Sequence, residues 1–284
     1  MMGRESMIET LSETKSHSGI QGVYRHESKT TGTPMTFSVF VPDHRPTHKL
    51  PVLTYLSGLT CDHSNVTEKG EFRAACAQYG IVFVAPDTSP RGAGVADAEG
   101  YDIGQGAGFY VDATEPPWSQ HFRMRSYIED ELPALIAAHF PVDGARQSIM
   151  GHSMGGHGAL TIGLRNPGRY RSISALAPIV APSQVPWGHK ALGAYLGDDR
   201  DAWRAYDAVA LIEDRARVDE LLVDQGSADQ FLDEQLRPGL LREACERAGI
   251  ALTLTLQEGY DHSYYFISTF MAEHVAWHAA RLNV

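Results

Sequence analysis

Ser153, Asp229 and His262 are residues whose types and order along the chain suit the activation of a hydroxyl for attack on a carbonyl. Ser153 lies in Gly151-His152-Ser153-Met154-Gly155, after a short apolar run and before a stretch of helical pattern. A serine hydroxyl is a weak nucleophile unless it is held exposed beside a base. A strand, a sharp turn and a helix achieve that, because the turn lifts the side chain above the sheet and the helix N-terminus offers free backbone N–H groups. Gly151 and Gly155 suit this turn, since a side chain at either would crowd it or the neighbouring strand.

The base should titrate near neutral pH, which makes it a histidine, and the acid should fix the tautomer of that histidine. Of the 13 histidines, His262 follows the last predicted strand (251–256) and precedes a helix over 264–282, where a loop can carry it over Ser153. His152 sits inside the turn, with its side chain expected to point away, and His157 sits on the helix behind it. A strand over 220–223 delivers two acid candidates, Asp224 and Asp229. Asp224, at the strand end, suits bracing the loop, and Asp229, deeper in it, suits reaching the histidine. Asp261 adjoins His262, and adjacent side chains rarely face each other. Backbone N–H groups for an oxyanion are expected from Met154, just after the nucleophile, and from Leu59 in the early loop 57–65.

These residues need a scaffold that brings strand ends to one face. Residues 8–28 and 35–41, joined by a turn at 30–34, read as an antiparallel edge. The apolar runs 50–56 and 80–85 flank a helical pattern over 72–79, as in a parallel sheet covered on both faces. Strands 147–150 and 173–176 follow, with a helix over 159–165 between them stopped by Asn166-Pro167-Gly168. Short helices up to residue 212 read as a cap, and a helix spans 234–247. Residues 87–121 form a long glycine- and aromatic-rich stretch, expected as a structured wall near the site. Its Gly104-x-Gly106-x-Gly108 run does not open a helix after a strand and is no dinucleotide fingerprint. A helix over 124–139 should bury Tyr127, Ile128, Leu132, Leu135 and Ile136, bend at Pro133 and leave Glu129, Asp130 and Glu131 solvated. The order nucleophile, acid, histidine is that of an α/β-hydrolase. The expectation is one α/β domain over residues 1–284, with a mixed, mostly parallel sheet, helices on both faces and short cap insertions.

Composition narrows the partners. The 24 Lys and Arg stand against 35 Asp and Glu, a formal net charge of -11, which argues against nucleic acid and anionic membranes. The start of the chain, with Glu5 and Glu9, lacks the pattern of a secretory signal, so a cytoplasmic protein is expected. Cys61, Cys76 and Cys245 have no spacing for a disulfide framework or a zinc site, and Cys76 and Cys245 read as buried small hydrophobes. His274 and His278 have helical ligand spacing, but Val275 stands where a metalloprotease would carry its glutamate. No metal or organic cofactor is expected.

The chain resembles the S-formylglutathione hydrolase (esterase D) family in several separate segments. These are Gly58-Leu59-Thr60-Cys61, residues 106–114, the elbow 151–158, Pro186-Trp187-Gly188-His189-Lys190-Ala191 with 195–197, Asp224-Gln225-Gly226 with Asp229-Gln230-Phe231, and residues 260–266. The resemblance implies hydrolysis of S-formylglutathione to glutathione and formate, after a glutathione-dependent formaldehyde dehydrogenase. It agrees with Ser153, Asp229 and His262 as the triad and with Leu59 and Met154 as oxyanion donors, and it suggests a homodimer. It also places Cys61 near the nucleophile, where the family cysteine is associated with sensitivity to thiol reagents. Glutathione is anionic and the chain is acidic, so local cations should matter. Lys69 and Lys190 are candidate contacts, with Trp118 and Trp187 as candidate walls. Other readings are a carboxylesterase of small acyl esters, an acyltransferase, and a binding protein on a hydrolase fold.

Overall fold

The strands that read as nearly unbroken apolar runs are the ones the fold buries on both sides. The computed structural model describes residues 7–283, so Glu5 and the other terminal residues of the expected domain lie outside it. Leu50–Leu56 (β4), Val82–Pro86 (β5) and Ile173–Leu176 (β7) are buried almost throughout, whereas Gly19–Glu27 (β2) alternates between buried and exposed. Continuous burial requires helices on both faces, and alternation requires only one covered face.

Glu9–Lys15 (β1), β2 and Pro34–Pro42 (β3) pair antiparallel, and β3 continues antiparallel onto β5. From β5 onward the pairing is parallel, through β4, Val142–His152 (β6), β7, Glu220–Gly226 (β8) and Ala251–Gln257 (β9). The nine-stranded order is β1-β2-β3-β5-β4-β6-β7-β8-β9. The order reverses between β4 and β6, and at such a switch point the loops diverge and leave a crevice at the carboxyl ends of the strands. Leu56 pairs with Gly151 there, so the chain leaves β4 into the 57–65 loop directly beside the elbow.

The helices are His63–Lys69 (α1), Arg73–Tyr79 (α2), Met124–Ser126 (α3), Leu132–His139 (α4), Met154–Arg165 (α5), Pro186–Leu196 (α6), Arg200–Arg204 (α7), Ala208–Glu213 (α8), Pro238–Ala248 (α9) and Tyr264–Leu282 (α10). None of the described helices is long and apolar enough to cross a membrane.

Three expectations change. Residues 63–65, expected in the early loop 57–65, instead open α1, which Asp62 caps by accepting from the Ser64 N–H at 2.7 Å. The helix expected over 124–139 contains a π-helical turn at Tyr127–Glu131 before α4; its predicted apolar face is buried, but so is Glu129. That carboxylate takes Arg125 Nη1 at 3.1 Å and Asn166 Nδ2 at 3.0 Å, while Glu131 accepts from Ser28 and from the Lys29 and Thr30 N–H groups. The widened turn thus places two of the three carboxylates in tertiary contacts, leaving Asp130 in solvent. The helix expected over 234–247 is broken at Arg237, whose φ of 48° is left-handed, and restarts at Pro238 because proline needs no helical hydrogen-bond acceptor there.

Candidate active site

Ser153 lies between the end of β6 and the first residue of α5 with φ 58° and ψ -119°, a strained conformation for a residue with a side chain. The surrounding space explains the glycines. A Cβ on Gly151 would stand 2.1 Å from the Gly155 carbonyl oxygen, and one on Gly155 would stand 1.9 Å from that of Leu56. The turn therefore closes only with glycine at both positions.

Loops after β8 and β9 bring the two partners. His262 Nε2 lies 2.9 Å from Ser153 Oγ, and His262 Nδ1 lies 2.6 Å from Asp229 Oδ2. A carboxylate oxygen only accepts, so Nδ1 carries the proton and Nε2 turns its lone pair to the serine hydroxyl. Asp229 Oδ1 accepts the Phe231 N–H at 2.8 Å and Oδ2 also accepts Gln225 Nε2 at 3.0 Å. The Asp229 side chain is fully buried, whereas that of His262 keeps 12% of its surface open, enough to reach an incoming group.

The competing histidines have other roles. The His152 ring does not turn away from the site but packs against His262, with centroids 4.5 Å apart. Burial, with the neighbouring His262 as a smaller cause, holds His152 well below the usual imidazole range, so it packs as a neutral ring. His157 Nε2 meets the Phe109 carbonyl at 2.9 Å, and burial lowers its pKa to about 4. Asp224 accepts Gln257 Nε2 of β9 at 2.7 Å and His274 Nε2 of α10 at 2.9 Å.

Gly58 places the early loop against the elbow, since a Cβ there would lie 3.0 Å from Ser153 Cβ and 3.1 Å from the His152 carbonyl oxygen. Leu59 follows it, and Met154, as the first residue of α5, has no acceptor for its N–H inside the helix. Residues that sequence reasoning did not single out hold this loop. Tyr110 donates its hydroxyl to the Ser57 carbonyl at 2.8 Å. Arg91 binds both Asp87 oxygens through Nε at 2.9 Å and the Cys61 carbonyl through Nη2 at 3.0 Å. Burial raises the Asp87 pKa to about 6 despite Arg91. The 87–121 stretch therefore clamps the early loop; its density of glycine and aromatics was the only trace of this in the sequence. Cys61 is half-buried beside Tyr264, and burial raises its thiol pKa, which disfavours the reactive thiolate.

The other candidate contacts divide between two sides. On one, Phe231 meets His262 edge-on at 5.1 Å, Trp187 packs on Phe231 at 4.6 Å, and Trp187 Nε1 donates to Tyr101 Oη at 3.3 Å. Lys190, close by on α6, is ion-paired with Asp102. On the other, Lys69 stands 5.9 Å from the Tyr264 ring and lines a cavity of about 670 Å³ with Glu71, Ser263, Tyr264, Tyr265 and Ser268. Trp118 packs instead against Phe122 and Tyr195. Among the described residues no three His, Cys, Asp or Glu side chains cluster as a metal site.

A serine presented on a strained turn at the switch point, with a histidine and an aspartate arriving from later strand ends, defines a serine esterase on the α/β-hydrolase fold. The Esterase family matches residues 28–278. S-formylglutathione hydrolase of Paracoccus denitrificans (strain Pd 1222) is 55% identical over 275 residues, covering 97% of this chain and 98% of that one. The solved S-formylglutathione hydrolase from Agrobacterium tumefaciens is 56% identical with a TM-score of 0.95, covering 96% of this chain and 99% of that one. The fluorophosphonate-binding serine hydrolase FphF of Staphylococcus aureus, 17% identical with a TM-score of 0.73 over 93% of this chain and 99% of that one, shares the fold. The chain belongs to the S-formylglutathione hydrolase family.

Proposed function

We propose that this enzyme hydrolyses S-formylglutathione to glutathione and formate. The observation that carries the reading is end-to-end likeness to two S-formylglutathione hydrolases; the hydrogen-bonded chain Ser153–His262–Asp229 supports the chemistry.

In this scheme His262 Nε2 takes the Ser153 proton as Oγ attacks the formyl carbon. Asp229 holds the imidazole and stabilises its charged form. The oxyanion is bound by the Leu59 and Met154 N–H groups, each contributing about 3 kcal/mol. When the carbon–sulfur bond breaks, His262 returns the proton to the departing glutathione sulfur, leaving a formyl ester on Ser153. Water, deprotonated by His262, attacks that ester; formate leaves and Ser153 regains its proton. A group added to Cys61, two residues beyond Leu59, would block the acyl side by size, and Cys61, Trp187, Lys190 and Lys69 are the proposed contacts for the substrate. The reading includes a homodimer, which light scattering on the eluted protein measures. The three free cysteines support a reducing, cytoplasmic setting.

The deciding experiment compares kcat/KM for S-formylglutathione with that for a short aryl ester. A clear preference for the thioester is expected; a preference for the ester would reassign the enzyme as a carboxylesterase.

A further inference from the structure

The reaction scheme makes no use of Gln225, although its side chain touches the acid directly. Gln225 is fully buried at the end of β8. Its Nε2 donates to Asp229 Oδ2 at 3.0 Å and to the Gly226 carbonyl at 3.2 Å. Both partners can only accept, so the amide must turn its NH2 toward them. Its Oε1 is left buried with no hydrogen-bond partner. A buried acceptor without a donor destabilises a fold, and an apolar side chain of similar length would avoid that penalty. Local packing therefore does not account for an amide at this position.

Its consequence falls on Asp229. Oδ2 takes the Gln225 amide together with His262 Nδ1, and Oδ1 takes the Phe231 N–H. The carboxylate is held by β8, by the turn at 231 and by the histidine. Rotating Oδ2 away from His262 breaks the Gln225 and Phe231 bonds as well. Asp224, one residue earlier, reaches the α10 histidine His274 instead, so neighbouring polar residues of β8 serve different partners, as strand alternation requires.

We propose that Gln225 is a positioning residue for the hydrolysis: its amide locks the plane of the Asp229 carboxylate so that Oδ2 meets the His262 Nδ1–H. It acts on the chemistry only through Asp229, and the proposal rests on the triad reading above.

The test replaces the amide with an apolar chain of equal length, Gln225→Met, with Gln225→Leu read beside it and held to the same outcomes. The expected result is a kcat for S-formylglutathione lower by about 10- to 100-fold with KM within about twofold. In the Asp229→Asn background the same substitution should change kcat by less than about twofold, because the group it acts through is gone. A kcat near the parent value would overturn the proposal, as would a further tenfold loss in the Asp229→Asn background. Measuring every variant on a short aryl ester as well separates this proposal from the substrate reading. Gln225→Met should depress kcat on both substrates, whichever one the parent enzyme prefers.

Discussion

The described residues include two Ser–His–Asp chains of similar dimensions. In one, Ser153 Oγ, His262 and Asp229 are joined at 2.9 and 2.6 Å. In the other, Ser174 Oγ lies 2.8 Å from His274 Nδ1, and His274 Nε2 lies 2.9 Å from Asp224 Oδ2. The second chain continues from Ser174 Oγ to His278 Nε2 at 2.8 Å, from His278 Nδ1 to Ser172 Oγ at 2.7 Å, and on to Ser148 Oγ at 2.7 Å. Residue type and distance do not separate the two, but exposure and backbone do. Ser174 sits in the middle of β7, and Ser174, His274 and His278 are wholly buried. No helix begins behind Ser174 to offer free N–H groups, and each histidine nitrogen is already engaged by a fixed partner. This second chain ties α10 to β6, β7 and β8. The first is held at a strained turn, next to a helix N-terminus and open at the imidazole, which is what an attacking hydroxyl needs.

The sharpest way to break this contrast is to remove each serine in turn. Ser153→Ala should lower kcat by about 10⁴-fold or more and abolish labelling by a fluorophosphonate probe. Ser174→Ala should leave labelling intact and reduce unfolding free energy by about 1–3 kcal/mol, because two buried imidazoles lose a partner. Labelling that persisted in the first variant or vanished in the second would reverse the assignment. The aspartates offer the next contrast. Asp229→Asn should cut kcat by about 10³- to 10⁴-fold with little change in KM, whereas Asp224→Asn should shift the denaturation midpoint and leave kcat within a few-fold. A smaller effect is expected at the clamp, where Tyr110→Phe frees the Ser57 carbonyl and should lower kcat by about tenfold as the Leu59 N–H loses its fixed position.

Between pH 7.5 and 5.5 two sets of groups act on stability with opposite sign: the buried imidazoles, which weaken the fold as pH falls, and Asp87, whose carboxyl pKa burial raises to about 6 and which strengthens it. Burial holds His152 and His278 well below the ordinary histidine range, and His157 at about 4. Their folded pKa values lie below the unfolded one, so as pH falls below about 6.5 the unfolded chain binds protons that the folded chain refuses. The stability these imidazoles contribute is thus fully present above that pH and declines below it, by up to about 1.4 kcal/mol per group for each pH unit. Urea midpoints at pH 7.5 and 5.5 measure the decline, and His278→Gln should make it shallower; an unchanged slope would remove His278 from this account.

Much of the site was legible before any coordinates. The sequence around Ser153 determines a strand, a glycine-lined turn and a helix, because those backbone angles and close approaches admit few residues. The order of Ser153, Asp229 and His262 along alternating elements carried them to one sheet face, and the apolar runs marked β4, β5 and β7. What remained hidden were contacts between elements far apart in the chain. The burial of Glu129 against Asn166, the hold of Arg91 and Tyr110 on the early loop and the packing of His152 on His262 have no local signature. Nor could pattern alone show that Ser174, His274 and Asp224 join in a second chain. Backbone conformation is decided by neighbours in sequence, whereas the partner of a buried polar group is decided by which distant element packs beside it. Only the tertiary structure settles that.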